Sequence, residues 1–263
     1  MPMKLSVVVA ATFATLGLVA CGGGGSGGES TPVTAPVPAP PPATAEGVYG
    51  GTLTGSTSPD FQLLVLENGD FYTLYGTNTS ASFVVAGLIQ GSGTSANNRF
   101  TSSNAADFGF SPAIPLTIDS TYASESKIIS GTATSARNQV RFSGGPIPNS
   151  QYVYESRAQL PAVAGNWSTT ALDGSNVQLA VSTSGTFTAS SGGCTFSGTI
   201  LPRPSGKNVF DVALRFGAAP CALAGQSGAG LALVSPVSGG RAQLIVAATN
   251  TSRTSGTVIF GTR

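Results

Sequence analysis

Residues 61–75 read Phe-Gln-Leu-Leu-Val-Leu-Glu-Asn-Gly-Asp-Phe-Tyr-Thr-Leu-Tyr. Two runs of aliphatic and aromatic residues flank the pair Asn68-Gly69, and Asn-Gly between such runs is the strongest short-range signal for a β-hairpin. Short apolar runs interrupted by Gly, Asn and Ser continue on both sides of this segment, from Glu46 onward. They lack the i, i+3, i+4, i+7 spacing of an amphipathic helix, so the pattern predicts an all-β fold.

Seven further strands are predicted around this hairpin in the first half of the chain. They cover residues 47–54, 82–91, 99–103, 116–122, 128–133, 139–143 and 151–155. Short strands at regular spacing, with turn residues between them, are typical of a closed barrel or of a β-sandwich.

The strand pattern occurs twice along the chain, because four short motifs recur with an offset of 116 or 118 residues. The pairs are Gly47-Val48-Tyr49 with Gly165-Asn166-Trp167, Phe61-Gln62-Leu63 with Val177-Gln178-Leu179, Gly69-Asp70-Phe71 with Gly185-Thr186-Phe187, and Phe142-Ser143-Gly144 with Phe260-Gly261. An offset this constant indicates an internal duplication. We therefore predict two tandem antiparallel units of about eight strands each, small barrels or sandwiches, at residues 46–160 and 161–263.

The first 21 residues carry the features of an export signal. Lys4 is their only charged residue, residues 5–18 form an apolar run, and small residues precede Cys21. This is the pattern of a secretory signal peptide, here residues 1–20, and the run is shorter than the roughly 20 residues of a transmembrane helix. The ending Leu18-Val19-Ala20-Cys21 resembles the lipobox of bacterial lipoproteins. The resemblance implies cleavage before Cys21 and a lipid on that cysteine, with palmitate among its acyl chains.

The residues after Cys21 predict how the β-units are attached to the membrane. In the Gram-negative lipoproteins that the lipobox resembles, Asp at the next position favours the inner membrane. Gly22 stands there instead, which implies anchoring in the outer membrane, on its periplasmic face or at the cell surface. Residues 22–28 are almost all Gly and residues 31–45 carry six Pro, so residues 21–45 are predicted to form a disordered Gly/Pro-rich tether.

The charge balance limits the partners of the exported body. The chain has 12 Lys and Arg against 11 Asp and Glu, and loss of Lys4 with the signal peptide leaves 11 against 11. There is no basic run, which argues against nucleic acid and against an anionic lipid surface as partners. The expected partners are the membrane, through the lipid on Cys21, and a small ligand or an envelope protein.

Cys194 and Cys221 remain once Cys21 carries a lipid, and an even pair in an oxidising compartment favours a disulfide. Residues 195–200 and 208–216 read as two strands with a turn at residues 205–207. This hairpin would bring the two cysteines almost opposite each other, within reach of a bridge. A structural bridge is predicted, because the spacing is not that of a redox CxxC motif.

The residue types argue against catalysis. The chain has no His, which excludes Ser-His-Asp and Cys-His triads and imidazole metal sites. Ser124-Glu125-Ser126-Lys127 fits the S-x-x-K pattern, but strand alternation would turn Ser124 and Lys127 to opposite faces. The carboxylates are scattered and form no calcium loop. We expect that the protein is not an enzyme and binds no metal or cofactor. A hydrolase that uses two carboxylates is the less favoured alternative.

Aromatic residues are concentrated in the first unit, with thirteen up to Tyr154 and six after it. The eight-strand rhythm and the Gly-x-aromatic start resemble lipocalin and avidin-like barrels, and also the small barrels of Gram-negative surface lipoproteins such as transferrin-binding-type proteins. Such a barrel is either filled by side chains or holds one small ligand. The tyrosines predicted to line a ligand mouth or a partner surface, with core packing as the alternative, are Tyr72, Tyr75, Tyr152 and Tyr154.

These observations favour a non-catalytic, lipid-anchored envelope protein whose β-units bind a ligand or a partner. Such a protein should have an open barrel mouth with convergent polar groups. The main alternative is a structural or surface-coat lipoprotein, in which the barrel interiors would be filled.

Overall fold

β-Strands form nearly all of the regular structure in this chain. The computed structural model describes residues 43–80 and 82–263. The predicted signal peptide, Cys21 and the tether up to residue 42 lie outside the described residues. The described ranges confirm the all-β prediction and form two antiparallel eight-stranded barrels. No helix within these ranges is long and apolar enough to span a bilayer.

The N-terminal barrel contains the predicted hairpin. Its strands are β1 (Gly47–Thr54), β2 (Asp60–Val65), β3 (Asp70–Asn78), β4 (Phe83–Ser92), β5 (Thr94–Ala96), β6 (Arg99–Asp107), β7 (Ile114–Ala123), β8 (Ile128–Ser135) and β9 (Gln139–Gly145). The order in the sheet is β4-β3-β2-β1-β9-β8-β7-β6-β5, and a short pairing of β4 with β6 closes it, with β5 as an extra strand. Gly69 has a φ of +83° at the β2–β3 turn, which explains why Asn-Gly stands there.

The C-terminal barrel follows the same meander. Its strands are β10 (Gly165–Ala171), β11 (Asn176–Val181), β12 (Thr186–Ser191), β13 (Cys194–Pro202), β14 (Phe210–Phe216), β15 (Ser227–Val237), β16 (Arg241–Asn250) and β17 (Gly256–Thr262). Each strand pairs with the next, and β17 pairs back with β10 to close the barrel.

The segment between the barrels corrects one predicted strand, because residues 151–155 form no strand. β9 already pairs with β1, so the first barrel has no free edge to which this segment could add. Its aromatic residues instead pack between the two barrels, and the segment ends in a short helix, Leu160–Val163.

The two barrels begin in the same way, as the duplicated Gly-x-aromatic motif predicts. The hydroxyl of Tyr49 donates a hydrogen bond to the carbonyl oxygen of Ala45 at 2.8 Å. The indole N–H of Trp167 donates to the carbonyl oxygen of Val163, also at 2.8 Å and also four residues upstream. Both aromatic side chains are fully buried, and each fills one end of its barrel, called here the closed end.

The outer faces of the two barrels pack against each other. One apolar cluster joins Leu74, Leu88 and Phe108 of the first barrel to Ile245 and Val258 of the second. A second cluster joins Leu64 and Leu66 to Val209 and Leu231. A methyl group added at Gly256 would lie 2.8 Å from Cγ of Phe108, so the contact requires glycine there.

Charged side chains complete this contact. Arg203 of the second barrel forms salt bridges with Glu67 of the first barrel, at 2.8 Å, and with Asp211 of its own barrel, at 2.6 Å. Lys207 bonds Glu46 at 3.1 Å, and also Glu155. The side chain of Arg203 is only 15% exposed and lies within the contact, whereas that of Glu155 is 64% exposed at its edge.

Candidate functional site: the cavity of the N-terminal barrel

The N-terminal barrel encloses a cavity of about 380 Å³. It lies towards the end opposite Tyr49, called here the open end, where loops at residues 55–57 and 137–138 contribute to its wall. Apolar side chains form most of the wall, among them Phe61, Phe71, Phe100, Leu116, Ile118 and Phe142.

The sequence of β8 shows why space remains at the open end. Alternate residues of a strand face the same side, and Ile129, Ala133 and Ser135 all line the cavity. Ile129 and Gly131 lie towards the closed end, where Ile129 packs against the aromatic core. The inward residues along β8 are thus Ile, Gly, Ala and Ser in order, and the short side chains leave the open end of the barrel unfilled.

Tyr75 and Asp107 form the main polar group of the cavity wall. The hydroxyl of Tyr75 and the backbone N–H of Gly109 both donate to Oδ1 of Asp107, each at 2.9 Å. Among the described residues, no hydrogen bond reaches Oδ2 of this carboxylate. One carboxylate oxygen of this cavity-lining residue therefore has no hydrogen-bond partner among the described residues.

Two glycines make room for the ring of Tyr75. A methyl group added at Gly87 would lie 2.0 Å from Cζ of Tyr75, and one added at Gly109 would lie 2.1 Å from its hydroxyl. The register of β3 against β4 also shifts between Tyr75 and Gly76, and such an irregularity redirects a side chain. Tyr75 is therefore held in place against Asp107 by close backbone contacts.

Burial shifts the ionisation of both groups. Desolvation raises the pKa of Asp107, and the hydrogen bonds from Gly109 and Tyr75 offset this only in part. Desolvation also raises the pKa of Tyr75, and the charge of Asp107 adds to the effect. Tyr75 therefore remains a donor at neutral pH, and the surroundings of Asp107 disfavour the charged form of its carboxyl group.

The rim of the cavity is more polar and more exposed than its wall. Asn138 donates to the carbonyl oxygen of Gly55 at 2.9 Å, which ties two rim loops together. Arg137 and Phe110 also line the opening, and Phe110 is 53% exposed. Within the described ranges, the guanidinium group of Arg137 makes no ion pair.

The four tyrosines singled out from the sequence lie in two different places. Tyr75 lines the cavity, whereas Tyr72, Tyr152 and Tyr154 lie in the contact between the barrels. Burial raises the pKa of Tyr72 to about 12. Tyr152 donates to the carbonyl oxygen of Asn208.

Tyr154 also serves the contact between the barrels. Its hydroxyl donates to Oε1 of Glu46 at 3.1 Å, and Nζ of Lys207 lies 5.2 Å from the centre of its ring. Sequence reasoning missed Asp107 and Arg137 as residues of the cavity. Their positions at strand ends gave no sign of which side they face.

The S-x-x-K segment lies at the closed end of the N-terminal barrel, in the turn between β7 and β8. Nζ of Lys127 donates to the carbonyl oxygen of Glu46 at 2.7 Å, so this amine is engaged in holding the start of β1.

The predicted disulfide between Cys194 and Cys221 is confirmed, with a Cα–Cα distance of 4.5 Å. The β13–β14 hairpin pairs Phe196 with Phe216, a register that differs from the prediction, since it places residue 218 and not Cys221 opposite Cys194. Cys221 lies five residues beyond β14, in the loop 217–226, and the bridge ties this loop to the start of β13.

The fold and its cavity define the class: a tandem pair of closed antiparallel barrels with internal space. No family model and no curated protein matches the sequence. Among solved structures, the chain is similar to a protein of unknown function from the DUF3598 family of Nostoc punctiforme, with 11% sequence identity. The match covers 82% of this chain and 94% of that one, with a TM-score of 0.26.

Proposed function

We propose that this protein is a non-catalytic, lipid-anchored envelope protein that binds a small, mainly apolar ligand in its N-terminal barrel. The observation that carries the proposal is the apolar cavity of about 380 Å³ with the Tyr75–Asp107 pair in its wall. Ligand cavities typically measure about 300–1,000 Å³ and combine apolar walls with a few convergent polar groups.

The chemistry of the wall specifies the kind of ligand. Burial of apolar surface contributes roughly 25 cal/mol per Å², so a hydrocarbon body supplies the affinity. A hydroxyl or amine on that body can donate to Oδ2 of Asp107, which gives a half-buried carboxylate oxygen a partner and orients the ligand. Arg137 is exposed at the rim, where water and salt screen its charge, so Asp107 determines the preferred head group.

The anchoring part of the proposal rests on the sequence of the first 45 residues. Cleavage before Cys21 and lipidation there would attach the body to the outer membrane through the Gly/Pro-rich tether. Stable anchoring takes more than one acyl chain, which the lipoprotein modification supplies.

The alternative of a structural or surface-coat lipoprotein predicts filled barrels. The short inward side chains of β8, Ala133 and Ser135, leave open space and so support the binding proposal over this alternative.

Calorimetric titration with decylamine and decanoate tests the proposal, because the two probes differ only in the head group. The full chain carries Cys21→Ser, so that no lipid on this residue competes for the cavity. We expect decylamine to bind at least about tenfold more tightly than decanoate, a difference of about 1.4 kcal/mol. Asp107→Asn should remove this preference, and Ala133→Phe should abolish the Asp107-dependent binding by filling the cavity.

The matched control is Ala248→Phe, on the equivalent strand of the other barrel, which should leave the head-group preference unchanged. Equal binding of both probes to the parent chain, or a preference that survives Asp107→Asn, would overturn the proposal. Native mass spectrometry of the chain purified from its source envelope would detect a co-purified natural ligand. The Ala133→Phe variant should lack the added mass of that ligand.

A further inference from the structure

The C-terminal barrel has a cavity of its own, with a volume of about 410 Å³. From this cavity we infer a second, independent binding site, which takes an uncharged apolar ligand such as a hydrocarbon chain without a charged head group. The inference does not depend on the proposed function of the N-terminal barrel, because the two cavities share no lining residue.

The space arises from the same graded filling as in the first barrel. Along β10 the inward residues run from Trp167 through Thr169 to Ala171, and along β16 the buried residues end at Ala248 and Asn250. Bulky residues therefore fill the closed end, and Ala171 and Ala248 line the cavity towards the open end.

Aromatic and aliphatic residues form the wall of this second cavity. Phe187, Phe196 and Phe216 lie on one side, and Val177, Leu214 and Ile259 complete the surface. Phe196 stands between the other two rings, at 6.4 Å from Phe187 and 5.5 Å from Phe216 between ring centres.

The charged group at this cavity differs from that of the first barrel. Asp173 is the one lining residue with a charge, and it lies in the β10–β11 turn. Its Oδ1 accepts the backbone N–H of Ser175 at 2.9 Å, and the hydrogen bonds from Ser175 lower its pKa. It therefore serves the turn, and among the described residues no other carboxylate lines this cavity.

The amide of Asn250 is also occupied. Its Nδ2 donates to Gln226 at 3.1 Å and to Thr254 at 3.0 Å. Its Oδ1 accepts the backbone N–H groups of Thr254 and Ser255 at 2.9 and 3.0 Å. A ligand head group would have to compete with these bonds, so Asn250 offers no free partner to a charged head group.

The disulfide fixes one side of the opening. Ala222 and Leu223, in the loop 217–226, line the cavity beside Cys194. Both ends of the loop are hydrogen-bonded to the barrel, by Gly217 N–H to the Thr195 carbonyl oxygen at 2.8 Å and by Asn250 Nδ2 to Gln226 at 3.1 Å. Cys221 ties the middle of the loop, next to Ala222 and Leu223, to β13. Reduction of the bridge should therefore weaken this site and leave the first barrel unaffected.

The test is a fluorescence titration of the full chain, carrying Cys21→Ser, with the neutral probe N-phenyl-1-naphthylamine. We expect two bound equivalents in the parent chain, one after Ala248→Phe or Ala171→Phe, and one after Ala133→Phe. Two substitutions in the second barrel are used so that one folding failure, detected by thermal melting, does not decide the result.

The remaining site is then characterised in the Ala133→Phe background. We expect decanol to displace the probe at least about tenfold better than decylamine or decanoate, and a reducing agent to weaken probe binding at this site. Both bound equivalents surviving Ala248→Phe and Ala171→Phe would overturn the inference, as would loss of all binding after Ala133→Phe alone. If only the second-barrel substitutions remove binding, and Ala133→Phe has no effect, the second site stands and the proposed function of the first barrel is refuted.

Discussion

The guanidinium carbon of Arg263 lies 3.9 Å from the centre of the Trp167 ring. The same side chain donates to the carbonyl oxygens of Ala164 and Ala162, at 2.7 and 3.0 Å. In the N-terminal barrel, Lys127 donates to the carbonyl oxygen of Glu46. In both barrels a cation thus holds the carbonyl that precedes the opening glycine, although Lys127 lies in the β7–β8 turn and Arg263 directly follows β17.

Arg263→Ala should destabilise the C-terminal barrel by about 1–2 kcal/mol. The variant loses an exposed cation–π contact, worth about 0.5–1 kcal/mol, and two charged hydrogen bonds that solvent weakens. Urea unfolding followed by the fluorescence of Trp167, the single Trp of the chain, measures the change. Arg241→Ala, at an exposed position of β16, is the control, and equal effects of the two variants would contradict the role of Arg263.

The buried tyrosines should make stability depend on alkaline pH. Burial raises the pKa of Tyr49 and of Tyr72 to about 12, whereas an unfolded Tyr titrates near 10. The folded state keeps these protons while the unfolded chain loses them. The stabilisation is therefore full below pH 10 and is lost as pH rises towards 12, by about 1.4 kcal/mol per pH unit and tyrosine. Tyrosinate absorbance should rise towards pH 12 in the folded protein and near pH 10 in urea. Titration of the folded and the unfolded protein at the same pH would refute this.

Asp107→Asn should stabilise the ligand-free protein at neutral pH. Asn can still accept the hydrogen bonds from Tyr75 and Gly109, and the substitution removes the charge of a half-buried carboxylate. Because the folded pKa is raised, the contribution of Asp107 to stability is present at low pH and lost as pH rises through that pKa. Thermal melting at neutral and acidic pH should show the gain only at neutral pH. Destabilisation by Asp107→Asn at neutral pH would show that the carboxylate has a structural role instead.

Arg203→Met should loosen the contact between the barrels by about 1–2 kcal/mol. The side chain is mostly buried, and its removal leaves Glu67 and Asp211 without their partner. Because these carboxylates are 32% and 43% exposed, solvent reduces the loss below that of a fully buried pair. Protease sensitivity of the connecting residues 146–159 should increase along with the loss of stability.

Arg99→Met provides the comparison for this substitution, because the Arg99–Asp119 pair is exposed on one barrel. It should leave both proteolysis and unfolding almost unchanged. Equal effects of Arg203→Met and Arg99→Met would show that the Arg203 network adds nothing to the contact.

A larger side chain should be tolerated at Ala248 and not at Ala232. Ala248 lines the open cavity, whereas Ala232 is fully buried in the packed core of the same barrel. Ala232→Leu should lower stability by about 1–3 kcal/mol through overpacking, and Ala248→Leu should be neutral or stabilising. Thermal melting of both variants compares them, and a similar loss in each would mean that the cavity of the second barrel is not open space.

Sequence reasoning found the features that are coded locally. The Asn68-Gly69 turn, the strand periodicity and the Cys194–Cys221 bridge all depend on neighbouring residues or on a single hairpin and the loop beside it. It failed where the two faces of a strand had to be distinguished.

On β3, Tyr75 faces the cavity, whereas Tyr72 and Leu74 face the other barrel. Both faces are apolar because each meets packed protein, so the usual alternation gave no sign of which side was inside. The role of Asp107 depends on how β6 meets β4 when the barrel closes, and no local pattern encodes that pairing.

The apolar contact between the barrels has a consequence for the duplicated sequence. Leu64, Leu66 and Leu88 would be uncovered in a fragment that contained only the first half, and Leu231 and Val258 in one that contained only the second. Each fragment would expose a hydrophobic patch on one side and tend to aggregate. The contact makes the two barrels dependent on each other, because a gene that encoded either barrel alone would yield a product with an uncovered apolar surface.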